Sequence, residues 1–148
     1  MSVNTIALTP VDENQIKEAL SAGAITPGHL VELNSAGDVI VHNTAGAPSR
    51  KLFALENVAT AKGISDAYVD NETTRYLEGN SGDVVYGWLI NGTGQDVTAN
   101  ATRLVSNGDG TLQAADGAEL DTEVVGVAGE SIDNDPGSAA VRIRVIVA

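Results

Sequence analysis

The stretch Gly82-Asp83-Val84-Val85-Tyr86-Gly87-Trp88-Leu89-Ile90 decides the fold class. A Gly-Asp turn opens it, and a run of β-branched, aromatic and aliphatic residues follows. Short runs of this kind, bounded by Gly, Asn and Asp, are typical of β-strands. Alternate side chains of a strand point to opposite faces, and here both faces are apolar. The stretch therefore predicts a central strand, or one that another subunit covers.

The same turn-and-strand unit recurs in both directions along the chain. Gly37-Asp38-Val39-Ile40-Val41 repeats it, and a strand over residues 30–33 precedes it across a four-residue loop, residues 34–37, which suits a hairpin. The chain ends on Val141-Arg142-Ile143-Arg144-Val145-Ile146-Val147, where a period of two predicts a core face of Val and Ile and an outward face of Arg. These patterns predict a mainly β single domain, built as a barrel or a sandwich.

The N-terminal 26 residues fit this pattern less well. Residues 2–8 are β-prone but no hairpin turn ties them to a sheet, so they predict an edge strand or an extended arm. Residues 9–23 are interpreted either as one short helix, with Thr9 as its cap and Ile16 and Leu20 on one face, or as an irregular segment. The predicted organisation is an arm over residues 1–26, with at most one short helix, and a β-domain over residues 27–148.

Composition limits the classes of partner. The 148 residues carry a formal net charge of −12, which disfavours nucleic acid and anionic membranes as partners. No apolar run approaches the ~20 residues that span a bilayer, and no leader pattern precedes the first strand. The chain has no cysteine, so neither a disulfide nor a thiolate metal site can form. We expect a protein that is made in a cytoplasm, or used on a particle assembled there.

No catalytic motif is evident. The two histidines, His29 and His42, fall inside predicted strands, with no nucleophile elbow or acid pattern around them. A small hydrolase would need one of them to meet a nucleophile and a carboxylate in a pocket. We therefore predict that the protein is not an enzyme, with no catalytic residues and no cofactor.

Three acidic loops are candidates for metal sites. Residues 107–112 resemble the middle of a calcium loop, but Val105 stands where the first carboxylate ligand is needed. Residues 116–119 and 133–137 also cluster acids, although carboxylates beside Gly and Pro are usually solvated turn residues. The prediction is no metal site, with weak divalent-ion binding by these loops left open.

Candidate contact residues lie in two places. Tyr86 and Trp88 share one face of a predicted strand, and they are either core residues or anchors of an interface, where Trp and Tyr are over-represented. Val3, Ile6 and Leu8 are the apolar residues of the predicted arm. An unpaired β-prone segment is free to add to the sheet of another chain. These five residues are the candidates for contact with a capsid or with another subunit.

The order of segments resembles the capsid decoration, or head cement, proteins of tailed bacteriophages and related viruses. The similarity lies in these segments: Pro27-Gly28-His29-Leu30-Val31-Glu32-Leu33, Phe53-Ala54-Leu55-Glu56-Asn57, Gly63-Ile64-Ser65-Asp66-Ala67-Tyr68, Gly82-Asp83-Val84-Val85, Val124-Val125-Gly126-Val127-Ala128 and Arg142-Ile143-Arg144-Val145. It covers residues ~27–148, a span of single-domain size.

The resemblance implies a small β-barrel or β-tulip that docks on the outside of an assembled shell. It also implies a trimer, and a role in cementing neighbouring subunits of the major capsid protein on the virion surface. The alternative is a ligand-binding β-module, such as a carbohydrate-binding or adhesion domain. That class stacks exposed aromatic side chains on sugar rings, and this chain offers only three Tyr, one Trp and one Phe.

Overall fold

The computed structural model describes residues 3–135, 137 and 139–148, and this part of the chain is built from strands. Its only helical elements are single 3-10 turns. The strands are β1 (Ile16–Leu20), β2 (Leu30–Leu33), β3 (Val39–Val41), β4 (Leu52–Ala54), β5 (Thr73–Glu78), β6 (Val84–Leu89), β7 (Asp96–Val97), β8 (Arg103–Ser106), β9 (Leu112–Ala114), β10 (Val124–Ala128), β11 (Ile132–Asp133) and β12 (Val141–Val147).

The second half of the chain closes into a barrel. Its five strands follow the order β10-β12-β6-β9-β8, with β8 returning to β10. All neighbours are antiparallel except β6 and β9, which pair in parallel at Leu89 and Leu112. Gly126 lets β10 approach β12, because a Cβ at this position would lie 2.5 Å from the carbonyl oxygen of Ile146. The predicted β-barrel and the mainly β fold class are confirmed.

The first half forms a five-stranded sheet in the order β1-β5-β4-β2-β3. β1 and β3 are its two outer strands, and they meet only beyond the end of β1, where Ser21 bridges Val39 in parallel. Along Ile16–Leu20 itself, β1 pairs with β5 on one side and with no other strand of the described residues. The sheet is therefore closed at one corner and open along β1.

The sheet and the barrel are held together by one continuous core. Successive residues of β4 alternate between two buried clusters: Phe53 packs with the barrel residues Val85 and Leu89, while Leu52 and Ala54 pack on the other face of the sheet. β2 and β5 alternate in the same way. A strand whose two faces are both buried reads as continuously apolar, as β4 does.

The hairpin and the C-terminal strand have the predicted geometry. β2 pairs with β3 from Val31 to Leu33, and Gly37 closes the loop between them with φ of +87°. In β12, Ile143, Val145 and Val147 are buried and Arg144 is exposed. The predicted alternation is confirmed.

The helix considered for residues 9–23 is wrong. Only Glu13–Gln15 form a single 3-10 turn, and the chain then enters β1, in which Ile16 and Leu20 pair with Leu77 and Thr73. A helix of this length is marginal by itself, whereas pairing with β5 satisfies the backbone along five residues. Local spacing was overruled by a neighbour more than 50 residues away in sequence.

The prediction of a detached N-terminal arm is also wrong. Ala7 bridges Val85, the Leu8 amide donates to the Val84 carbonyl at 2.8 Å, and the Tyr86 amide donates to the Ile6 carbonyl at 2.8 Å. The Ile6 side chain is fully buried. Residues 6–8 therefore extend the edge of β6 within their own domain. Met1 and Ser2, the first residues of the predicted arm, lie outside the described residues.

Replacing Ile6 by Ala should destabilise the isolated protein. The loss of a fully buried Ile side chain costs about 2–5 kcal/mol, which lowers the melting temperature of a domain of this size by roughly 5–15 °C. Calorimetry measures it, and Asn4→Ala, at an exposed position of the same segment, is the control. Deletion of residues 2–8 should lower the melting temperature at least as much. An unchanged melting temperature after this deletion would support the detached arm instead.

Candidate functional site

The five candidate contact residues do not form a free surface. The structure brings Ile6 and Leu8 to the edge of β6, beside Tyr86 and Val84, and it buries Ile6 completely. Val3, Leu8, Tyr86 and Trp88 are half-buried. Ile6 is therefore a core residue of its own chain. In the folded conformation its side chain cannot serve as a docking contact.

Trp88 lies on the outer wall of the barrel, where an arginine covers its ring. Arg142 pairs with Trp88 across β12 and β6, and its guanidinium carbon lies 4.3 Å from the centroid of the Trp88 ring. This is the geometry of a cation–π contact. The indole N–H donates to the Pro27 carbonyl at 3.0 Å. One ring face and the polar edge of Trp88 are thus occupied within the chain.

Arg142 joins the barrel to two connections within the sheet, the one between β1 and β2 and the one between β4 and β5. Its Nε and Nη2 donate to the Pro27 carbonyl at 3.3 and 3.1 Å, and Nη2 also donates to the Ile64 carbonyl. Burial lowers the pKa of the guanidinium, an effect that Tyr86 opposes. An arginine remains charged through such a shift. Arg142 therefore acts as a clamp between segments distant in sequence.

The Pro27-Gly28 turn, whose Pro27 carbonyl accepts from Arg142, packs closely against β6. Gly28 has φ of +95°, and a Cβ at this position would lie 2.7 Å from the Tyr86 carbonyl oxygen. Only glycine combines that backbone angle with so close an approach. The Pro27-Gly28 turn thus fits the outer face of β6 beside Trp88.

His29 follows that turn rather than lying inside a strand, which corrects its predicted position. Its Nδ1 accepts a hydrogen bond from the Thr26 amide at 3.1 Å, and its ring lies 6.4 Å from that of Trp88. Burial lowers the pKa of His29; the nearby Asp109 raises it and Arg142 lowers it. A half-buried histidine whose Nδ1 accepts a backbone N–H fits a structural role.

His42 was also predicted to lie inside a strand, but it lies just beyond β3, where it meets a serine and a carboxylate. Its Nδ1 is 2.7 Å from Ser106 Oγ, and its Nε2 is 3.5 Å from Glu32 Oε2 and 3.3 Å from the Pro48 carbonyl. Both neighbours of Nε2 are acceptors, so in the neutral ring Nε2 carries the proton and the Ser106 hydroxyl donates to Nδ1. Serine, histidine and acid therefore follow one another as in a catalytic triad, but with the ring nitrogens exchanged, because in the triad Nε2 faces the serine and Nδ1 faces the acid.

This trio lacks access for a substrate. Ser106 is completely buried and His42 is 3% exposed, and Ser106 Oγ already accepts the Gly108 amide at 3.1 Å. A nucleophile must reach a reacting carbonyl that sits against oxyanion donors. Three surface concavities of the described residues are lined by other side chains. The trio connects barrel strand β8 to the β2–β3 hairpin, which is a structural role.

The acidic loops use their carboxylates on their own backbone. Asp109 Oδ1 accepts the amide and the hydroxyl of Thr111, and Glu119 accepts the amides of Asp116 and Gly117 at 3.0 Å. Burial by itself would raise the pKa of Asp109, but the hydrogen bonds from Thr111 outweigh it and lower the pKa; the Asp116 amide likewise lowers the pKa of Glu119. Within residues 3–135, 137 and 139–148, no three His, Asp or Glu side chains are grouped to hold a metal ion. Pro136, in the predicted loop 133–137, lies outside that part.

Sequence reasoning missed Arg142 as a clamp, Ser106 as a partner of His42, and Glu72. Glu72 accepts hydrogen bonds from the amides of Val69 and Ser21 and from the Asn57 side chain, and so connects three segments. Arg142 was predicted to face outward, which is correct, but its contacts with Trp88 and Pro27 depend on the pairing of β12 with β6. Strand pairing over more than 50 residues leaves no local signal in the sequence. Sequence spacing alone could not have found these residues.

Comparison with known proteins adds no assignment. Neither a family model nor a curated protein sequence matches this chain. In the described part of the chain, no helix has the length and apolar character needed to cross a membrane.

Removing the Arg142 side chain should weaken the contact between barrel and sheet. Arg142→Ala loses hydrogen bonds to two carbonyl groups and a cation–π contact, at a cost of about 2–3 kcal/mol in the free energy of unfolding. Arg144→Ala removes the same charge two residues along the strand, at an exposed position, and should change stability by less than about 0.5 kcal/mol. Denaturant unfolding measures both variants. Equal losses of stability in the two variants would contradict the role of Arg142 as a clamp.

Ser106→Ala should lower the free energy of unfolding, and it should not remove any enzymatic activity. It leaves His42 Nδ1 without a donor in a buried site, at a cost of about 1–3 kcal/mol. Ser35→Ala, in the exposed hairpin loop, is the control. A fluorophosphonate, which labels activated serines, should leave the folded wild-type protein unmodified. Labelling that disappears in Ser106→Ala would contradict the structural role.

Proposed function

We propose that this protein is a structural component of a viral capsid, which docks on the outside of the assembled shell and cements neighbouring subunits of the major capsid protein. It does so without catalysis and without a cofactor. It is made in the cytoplasm of the host and resides on the outer surface of the virion, where a homotrimer is the proposed state. The segments that resemble the decoration proteins of tailed bacteriophages supply the starting point.

One observation carries the proposal: barrel and sheet form a single stiff body through a shared core. Leu30, Phe53 and Leu77 of the sheet belong to the same buried cluster as Val85, Leu89 and Val145 of the barrel. Close-packed interiors of this kind transmit strain and resist deformation. A cement protein needs that property, because it must hold two coat subunits at a fixed separation.

The chemistry of the side chains supports the same function. His42 and Ser106 are buried, His29 accepts a backbone N–H, and the carboxylates of Asp109 and Glu119 are bonded within their own loops. The net charge of −12 gives exposed carboxylates that keep decorated particles apart in solution. A protein that acts through its shape and its surface charge needs no reactive side chains.

The direct test uses undecorated shells assembled from the major capsid protein of the source virus. The purified protein should sediment with the shells at a saturable ratio and raise the temperature at which they open. Electron microscopy of the saturated shells should show density on the outer surface, as trimers if the proposed state is right. Cooperative unfolding of the free protein verifies that it is folded. Absence of binding by a folded protein would overturn the proposed function.

A further inference from the structure

His29 lies where the sheet meets the barrel. Its ring lies 6.4 Å from the ring of Trp88 on β6. It also packs against the turn between β8 and β9, because a Cβ at Gly110 would lie 3.0 Å from His29 Cγ. The backbone crosses the same boundary beside it, since the Leu30 amide donates to the Gly110 carbonyl at 2.8 Å. His29 therefore contacts two parts of the barrel from the segment that leads into β2.

The two ring nitrogens of His29 have different surroundings. Nδ1 accepts a hydrogen bond from the Thr26 amide at 3.1 Å. Nε2 is not a buried atom, because every buried side-chain nitrogen of the described residues has a partner and Nε2 has none there. A neutral imidazole carries one proton, and since Nδ1 is the acceptor this proton is on Nε2. A second proton can therefore bind only at Nδ1, the atom that holds the Thr26 amide.

Protonation of His29 would break this hydrogen bond. Both nitrogens of an imidazolium are donors, so the Thr26 amide would then face another N–H group. Thr26 begins the turn whose Pro27 carbonyl accepts from the Trp88 indole at 3.0 Å and from Arg142 Nη2 at 3.1 Å. The loss of the Thr26 bond therefore loosens the turn on which the Arg142 clamp depends.

Two charged side chains act on His29 from the elements packed against it. Arg142, on β12, lies over the Trp88 ring that His29 also contacts, and Asp109 precedes Gly110 in the turn between β8 and β9. The segment of His29 itself, residues 26–30, carries no other charged side chain. Burial lowers the pKa of His29, Asp109 opposes this effect and Arg142 adds to it. The folded chain therefore favours the neutral ring.

We propose that His29 is an acid-sensitive switch in the contact between sheet and barrel: the neutral ring holds the Pro27-Gly28 turn against β6, and protonation of Nδ1 releases it. The switch is a property of the isolated chain, so it does not rest on the proposed function.

The direction of the pH dependence follows from the two states of the chain. The unfolded chain takes up this proton at the ordinary pKa of histidine, about 6.5, whereas the folded chain takes it up only at lower pH. The contribution of His29 to the free energy of unfolding is therefore complete above about pH 6.5 and falls as the pH drops below that value. At their ordinary pKa values, His29 and His42 are the side chains that respond between pH 7 and pH 5.

The first measurement follows the His29 ring in the ¹⁵N-labelled wild-type protein. Long-range ¹H–¹⁵N spectra distinguish the two neutral tautomers, and a titration from pH 8 to pH 5 gives the midpoint of protonation. The His29 signals are those that disappear in His29→Asn. We expect the Nε2–H tautomer at pH 7.5 and a midpoint below that of a free histidine. The Nδ1–H tautomer, or a midpoint at or above that of a free histidine, would overturn the proposal.

The second measurement is hydrogen exchange of the Thr26 amide and the Trp88 indole N–H at pH 7 and pH 5, with each rate divided by the intrinsic rate at that pH. In the wild-type protein the protection of both groups should fall roughly tenfold at pH 5. In His29→Asn, the side-chain oxygen can accept the Thr26 amide at the position of Nδ1 but takes up no proton, so protection should persist.

An equal fall in protection in both proteins would assign the acid response to another group and overturn the proposal. If His29→Asn does not fold, the wild-type protein decides the outcome by itself. Equal protection at pH 7 and pH 5 in the wild-type protein would then overturn the switch, and a fall at both groups together with the Nε2–H tautomer would support it.

Discussion

The packing of the sheet against the barrel depends on one constraint: β4 has no face that touches water. Leu52, Phe53 and Ala54 are all fully buried. Because side chains alternate along a strand, Phe53 enters the barrel core while its neighbours enter the core on the opposite face. A register slip of one residue would send the small Ala54 side chain toward the barrel and Phe53 away from it. The relative position of the two halves follows from this alternation.

Polar contacts then fix the segments that the shared core does not hold in place. Arg142 binds the carbonyls of Pro27 and Ile64 from the outer wall of the barrel, and the bond between His42 and Ser106 connects the β2–β3 hairpin to β8. Glu56 reaches the N-terminal segment, accepting the Thr5 hydroxyl at 2.6 Å and the Ile6 amide at 3.1 Å. Each contact joins residues far apart in the chain. Every side-chain N or O atom that is buried in the described part has a hydrogen-bond partner, as expected for a well-specified interior.

The trio of Ser106, His42 and Glu32 illustrates why residue type and proximity do not make an active site. The three residue types of a hydrolase triad lie side by side, yet the hydroxyl is fully buried and lies beneath the loop that follows β8. Catalysis requires that a substrate atom come within about 3 Å of both nucleophile and oxyanion donors.

Several features of the fold were predictable from the sequence. The strands over residues 84–89 and 141–147 and the hairpin around Gly37 follow from alternation and turn chemistry, which act over a few residues. The absence of thiolate chemistry and the acidic surface follow from composition. These features are local or additive, so a reader of the sequence has all the information that sets them.

The tertiary structure decided the rest. Ile16 and Leu20 have a helical spacing but lie in β1, because β5 offers them backbone partners. Ile6 belongs to an apparently loose arm but is buried, because the edge of β6 beside residues 6–8 is open to pairing. The contacts of Trp88 with Arg142 and of Glu72 with Ser21 and Asn57 likewise join segments that only strand pairing brings together. Long-range pairing depends on which edges remain free after all other strands have paired, and no local window of sequence contains that information.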